Sequence, residues 1–311
     1  MYIKQLLNAK PKSLLLYLPI PLGFLGLMVI NYLAIKLLNL DVNQIIKTEI
    51  AERGVNRVFV ENMLPFVVGI VLLFVWVRYL HKQTILSLTT SRRKVDWGRI
   101  FFSFFIWSLF TIGSTVALYY INPQDFQLNF KPLPFLILVV LAGLLIPIQT
   151  SFEEYLFRGY IMQGLGLATR KKIVPLLVTS FMFGMMHIAN PEVEKMGSII
   201  LIYYVGTGLF LGIITLMDEG MELALGFHAA NNLVGALLIT SDWSAFQTDS
   251  ILKDTATPSA GIDVLLPVFI VFPLLLFIFS KKYKWTNWKD KLAGNIVLDS
   301  PNSIVNIENH V

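Results

Sequence analysis

Two adjacent carboxylates and an arginine, Glu153, Glu154 and Arg158, directly follow an apolar run long enough to enter a lipid bilayer. Insertion scales put a charge at the centre of a membrane at roughly +2.5 to +3.5 kcal/mol, so ionisable groups there are rare and mark functional sites. Glu154 and Arg158 are four residues apart and therefore neighbours on one helix face, with Glu153 about 100° round from Glu154. The pair can neutralise itself, which leaves Glu153 free to point into a cavity and act as a base. A competing reading makes Glu154 and Arg158 an ion pair that only pins two helices. It suits Glu153 less well, because a second unpaired carboxylate adds cost without adding a bond.

Two further polar groups interrupt the apolar half of the chain. One is His187, at the end of Phe183-Gly-Met-Met-His187; the other is His228-Ala-Ala-Asn231-Asn232. Either histidine alone reads as a core residue bonded to a neighbouring helix. Together with a glutamate they can hold and deprotonate a water, or ligate a metal. His228 and Asn232 share a face, so Asn232 can orient the imidazole or donate to a developing oxyanion; Asn231 faces about 100° away and is the weaker candidate. Phe183, one turn before His187, reads as packing that fixes a rotamer. The other two of the four histidines, His81 in a basic loop and His310 in the tail, read as solvated and idle.

The elements that must position these residues follow from composition. With 55% hydrophobic and 14% charged residues and a mean hydropathy of +0.66, the 311-residue chain is an integral membrane protein, and its apolar runs approach the ~20 residues that cross a bilayer as helix. The fold class is all-α, a polytopic transmembrane bundle of about eight spans, near 13–38, 64–80, 98–121, 133–150, 173–189, 198–217, 222–240 and 262–279. The net charge of +5 comes from Lys and Arg gathered beside these runs, which points to lipid and not to nucleic acid. Lys4, Lys10 and Lys12, then Arg78, Lys82, Arg92, Arg93, Lys94 and Arg99, then Arg170, Lys171 and Lys172, then Lys281, Lys282, Lys284, Lys289 and Lys291 fall on one side. This bias puts both termini in the cytoplasm. The acidic turn Asp218-Glu219-Gly220 on that side does not support the rule.

The absence of cysteine excludes disulfides and thiol chemistry, and the first apolar run is expected to be retained. Loop 39–63 can form a short amphipathic helix, 241–261 reads as an ordinary exposed connection, and the flanks Tyr2 to Lys12 and Trp285 to Trp288 read as interfacial anchors. Residues 1–130 read as N-terminal helices and loops, 131–245 as the functional core, 246–284 as the last span and 285–311 as a polar cytoplasmic tail. One geometric difficulty stands: straight, upright helices cannot bring Glu153, His187 and His228 to one place. At least one of them must be irregular or start elsewhere, with Pro147, Pro175 and Gly184 as candidate breaks.

Glu153-Glu154-x-x-x-Arg158, Phe183-x-x-x-His187 and His228-x-x-x-Asn232, in this order within hydrophobic segments, resemble the CPBP family of CAAX-processing and bacteriocin-processing intramembrane endopeptidases, in particular its type II CAAX prenyl protease branch. The resemblance covers about residues 130–245. It implies a CAAX-protease-like core in which Glu153 and His187 activate the attacking water, His228 and Asn232 stabilise the oxyanion, and Glu154 and Arg158 shape the site. The family is commonly labelled metalloprotease. No His-Glu-x-x-His motif is present, so the implied cofactor is either none or one divalent metal such as zinc, with Glu153, His187 and His228 as candidate ligands. The implied partners are a peptide or lipidated protein substrate and the lipid bilayer of a bacterial cell. The alternative is a non-catalytic membrane immunity or binding protein for bacteriocin-like peptides; a transporter with a Glu/His proton relay fits less well.

Overall fold

In a computed structural model the chain is described over residues 1–8 and 14–297. Lys10 and Lys12, and the part of the tail that holds His310, lie outside the described residues. Helix follows the apolar runs closely: α1 Pro19–Leu37, α2 Val42–Arg53, α3 Val55–Val75, the short α4 Ile85–Thr89, and α5 Trp97–Ile121. After strand β1, Phe126–Leu128, come α6 Pro132–Glu154, α7 Met162–Thr169, α8 Ile173–Met185, α9 Pro191–Met196, α10 Ile200–Asp218 and α11 Glu222–Leu238. Strands β2, Ile239–Ser241, and β3, Leu252–Asp254, precede α12 Ile262–Leu266, α13 Phe272–Tyr283 and α14 Trp288–Ala293.

Among the described residues six helices are long and apolar enough to cross a bilayer: Leu15–Leu37, Val55–Leu80, Trp97–Ile121, Pro132–Thr169, Ile200–Asp218 and Val264–Tyr283. The protein is a polytopic helical bundle. The other two expected spans are the shorter helices α8 and α11. α11 is buried at its start and through the His228 turn because it packs on α5 and α6 instead of facing lipid. Two irregularities answer the geometric difficulty. Helix α6 does not stop near residue 150 but runs through the acidic pair into a π-helical segment, Tyr155–Ile161, and on into α7; such segments are frequent at functional sites. Helix α8 ends at Met185, so His187 sits in the turn that follows.

The expected exposed connection 241–261 is instead partly structured. β3 pairs antiparallel with β1 and parallel with β2, an order of β1-β3-β2, and Thr248, Asp249 and Ser250 are buried beside it. This small sheet caps the ends of α5 and α11 and the start of α6. The anchors also differ from expectation. Tyr2 is buried, with its hydroxyl donating to the carbonyl of Leu88 at 2.6 Å, and the Trp285 indole donates to Asp218 Oδ1 at 3.1 Å. Both aromatics are held by protein and not by the interface.

Asp218 explains the acidic turn. Arg92 Nη2 lies 2.8 Å from Asp218 Oδ2, Arg92 Nη1 lies 3.0 Å from Glu222 Oε2, and Arg99 Nη1 lies 2.5 Å from Asp218 Oδ1. Lys291 pairs with Glu219. The turn's negative charge is thus neutralised by basic residues from the same face of the bundle. His81, expected in solvent, is fully buried against Tyr17 and within 2.9 Å of the Tyr160 hydroxyl. Burial pushes its pKa below the ordinary histidine value and favours the neutral ring.

Glycine marks a close helix crossing. A Cβ on Gly226 of α11 would meet the Ile100 carbonyl oxygen of α5 at 2.0 Å, whereas a Cβ on Gly143 meets nothing within 4 Å. Gly226→Ala is expected to force the helices apart and to destabilise the protein by about 1–3 kcal/mol, as overpacking does. Gly143→Ala should be neutral or stabilise by about 0.5–1 kcal/mol. Melting of the two variants in one detergent checks the contrast, and equal melting temperatures would refute the close crossing.

Candidate functional site

Helix α6 brings the acidic pair to the middle of the bundle, and α11 meets it with His228. Glu154 Oε1 accepts from Arg158 Nη1 at 2.9 Å and faces His228 Nδ1 at 2.8 Å. The arginine's other terminal nitrogen donates to the Gly208 carbonyl of α10 at 3.0 Å, and its guanidinium lies 4.3 Å from the centre of the Phe183 ring. Glu154 and Arg158 are both fully buried. One carboxylate oxygen therefore ties α6 to α11, and through the arginine to α10 and α8.

Glu153 is held differently. Its Oε1 accepts from Gln149 Nε2 at 2.5 Å, while its Oε2 is buried without a protein hydrogen bond and lies 3.6 Å from His228 Nε2. A carboxylate has about four acceptor positions, so Oε2 retains lone pairs that a water or substrate can use. Because Glu154 takes up His228 Nδ1, that nitrogen carries a proton and Nε2 is the atom turned towards Glu153.

His187 joins the site through Phe183. Its Nδ1 lies 2.9 Å from the Phe183 carbonyl oxygen, which can only accept, so Nδ1 carries the proton and Nε2 offers a lone pair. The ring stacks on Tyr204 with centroids 4.1 Å apart and 9° between planes. Phe183 lies 5.2 Å from the His187 ring and 5.6 Å from the His228 ring, so one aromatic side chain adjoins both imidazoles. Asn232 reaches the site by a different route: its Nδ2 donates to Gln149 Oε1 at 3.0 Å. The structure thus groups Glu153, Glu154, Arg158 and His228 directly, Asn232 through Gln149, and His187 around Phe183.

Gln149, Trp107, Tyr203 and Tyr204 were absent from the sequence reading. Gln149 carried a usable signal, since it stands four residues before Glu153 and so shares its face. Asn231, the weaker candidate, accepts from the Trp107 indole at 3.1 Å and from the Tyr203 hydroxyl at 3.3 Å. Nothing in the spacing marks the three aromatics, whose partners come from other helices.

The donor set does not fit a resident divalent metal. Among the described residues no group of three or more His, Cys, Asp or Glu side chains is placed to hold one. Glu153 and His228 face each other at 3.6 Å, and His187 adjoins Phe183.

Removing one partner of a buried ion pair leaves the other charge uncompensated and costs about 3–5 kcal/mol. Arg158→Met is expected to lose that much stability, and Glu154→Gln in the same chain to recover a large part of it. Melting of the single and double variants in detergent tests this; a double variant no more stable than Arg158→Met would show that the pair does not act as a unit.

Residues 128–234 match the family model described as Type II CAAX prenyl endopeptidase Rce1-like. The chain is also 33% identical over 175 residues to the Uncharacterized protein YyaK of Bacillus subtilis (strain 168), an alignment that covers 55% of this chain and 58% of that relative. The chain thus spans less than two thirds of that relative's length. No solved structure matches it.

Proposed function

From the Rce1-like domain at residues 128–234, we propose that this integral multi-pass membrane protein is an intramembrane endopeptidase that hydrolyses a peptide bond of a membrane-associated protein or peptide. The observation that carries the reading is Glu153: buried, with one oxygen held by Gln149 and the other free of protein donors and turned to His228. A base with one oxygen fixed and one available is what water activation requires.

In this reading Glu153 Oε2 takes a proton from a water whose position His187 Nε2 helps to set. The water oxygen adds to the scissile carbonyl carbon, and the charge that develops on the carbonyl oxygen is met by the free N–H of Asn232 and by Nε2–H of a His228 that carries a proton on both ring nitrogens. Collapse breaks the C–N bond, and Glu153 returns the proton to the departing amine. Glu154 and Arg158 hold His228 and touch no reacting atom. No step passes through a metal. We place the enzyme in a bacterial cell membrane with both termini cytoplasmic, a placement supported by the basic residues gathered on one face. The working unit is 131–245.

Cells that express the wild type are expected to yield membrane or secreted peptide cleavage products that are missing from cells expressing Glu153→Gln at equal abundance, because loss of a positioned base costs roughly 10²- to 10⁴-fold in rate. Identical peptide profiles at verified expression would replace this reading with the binding or immunity one. On the purified enzyme, strong chelators such as phenanthroline are expected to leave the rate unchanged. Inactivation that zinc reverses would overturn the metal-free mechanism while leaving the protease assignment intact.

A further inference from the structure

Three side-chain amides link one indole to the Glu153 carboxylate in a continuous chain across three helices. Trp107 Nε1 of α5 donates to Asn231 Oδ1 of α11 at 3.1 Å, and Asn231 Nδ2 donates to Asn232 Oδ1 at 3.0 Å. Asn232 Nδ2 then donates to Gln149 Oε1 of α6 at 3.0 Å, and Gln149 Nε2 donates to Glu153 Oε1 at 2.5 Å. Tyr203 of α10 adds a second donor to Asn231 Oδ1 at 3.3 Å.

Each amide could in principle face either way, because its oxygen and nitrogen ends have the same shape. The ends of the chain remove that freedom. An indole N–H can only donate, so Asn231 must turn its oxygen to Trp107 and its nitrogen to Asn232. Asn232 must then present oxygen to Asn231 and nitrogen to Gln149. Gln149 is left with its NH₂ facing Glu153. Reversing any one amide would set oxygen against oxygen at one of its joints and N–H against N–H at the other, and for Gln149 the oxygen clash would be with the Glu153 carboxylate.

We propose that Trp107, Tyr203, Asn231 and Gln149 are positioning residues that form a one-way relay to the base, an inference that rests on the endopeptidase reading above. The relay has two effects. It occupies Glu153 Oε1 with a donor, so the proton of the attacking water goes to Oε2. It also commits Asn232 to the orientation in which its second N–H is free for an oxyanion, where a reversed amide would present a repelling carbonyl. A single indole thus sets the polarity of both catalytic elements.

The test uses the full chain in detergent. Gln149→Leu removes the last donor at nearly constant size. Trp107→Phe combined with Tyr203→Phe removes the first donors while keeping the aromatic packing of Trp107 on Phe227 and Phe110. On a library of internally quenched peptides, kcat should fall roughly 10- to 100-fold for Gln149→Leu, as for a lost hydrogen bond to a charged group. The double variant should fall by a smaller factor, of order 3- to 10-fold, the worth of a neutral hydrogen bond. KM should be unchanged in both, since no relay residue reaches substrate. The Glu153 carboxyl infrared band, isolated by difference against Glu153→Gln, should shift in both variants; this readout needs no turnover. A wild-type kcat and an unmoved band in the double variant, with Glu153→Gln inactive, would overturn the relay and leave the protease standing. Were no Glu153-dependent cleavage found at all, the protease reading would fall, and the infrared band alone would decide whether the amides orient Glu153. The double variant alone also decides if Gln149→Leu does not accumulate.

Discussion

One oxygen atom, Glu154 Oε1, bears most of the structural demand in this protein. It faces both Arg158 Nη1 and His228 Nδ1 within 2.9 Å in a place closed to solvent. An ionised carboxylate without partners would not persist there, and an arginine without partners even less. Each group is tolerable only because the others are present, and the π-helical segment that begins at Tyr155 follows directly on the carboxylate. Arg158 completes its shell with a backbone carbonyl of α10 and the face of Phe183. Four helices are brought into register by one cluster of polar contacts.

That clamp determines what the neighbouring carboxylate can do. With Glu154 and Arg158 cancelling, the remaining charge of the site is shared by Glu153 and His228, whose facing atoms are 3.6 Å apart. Glu153 ionised with His228 protonated, and Glu153 protonated with His228 neutral, have the same net charge. In the proposed reaction the proton of water rests on Glu153 while the oxyanion forms, and a His228 protonated on both ring nitrogens compensates that charge until the proton passes to the amine. Leaving such a charge uncompensated would be the dominant cost of proton-transfer chemistry in this environment. In that proposed cycle the clamp contributes no net charge of its own, and the balance rests on Glu153 and His228.

The residues of the clamp were legible in the sequence because each is ionisable and stands in an apolar run, where such groups are conspicuous. The helical bundle was legible for the same reason, since hydropathy reports lipid contact. The signals failed where protein replaces lipid or water as the surroundings. Helix α6 was expected to end at the acidic pair, since charge normally marks a membrane boundary, but here buried partners let the helix continue to Thr169. His81 and Trp285 stand in polar sequence and are nonetheless buried by segments far away in the chain. Strands β1, β2 and β3 are three residues each, too short for any alternation to show. Gln149 is uncharged and raises no alarm in a scan for titratable groups, and Asn231 ranks below Asn232 on facing alone, although these two amides make more of the site's hydrogen bonds than its histidines do.

Helices α5 and α11 are fastened at three heights, and α6 joins them at two. At one end, Arg92, ahead of α5, and Arg99, in its first turn, bind Asp218 at the end of α10 and Glu222 at the start of α11. At the other end, the sheet joins the segment after α5, the segment before α6 and the end of α11. Between them lie the Glu154 clamp and the amide chain, and the glycine crossing at Gly226 brings α5 and α11 to backbone contact. A hydrogen-bonded chain tolerates displacements of only a few tenths of an ångström before its joints fail, and α5, α6 and α11 are the helices that the chain crosses. Helix α1, by contrast, has no buried residue and contributes nothing to the clamp or the chain. Rigidity is concentrated where a one-way sequence of donors and acceptors must stay in register, and the lipid-facing helix is left out of it.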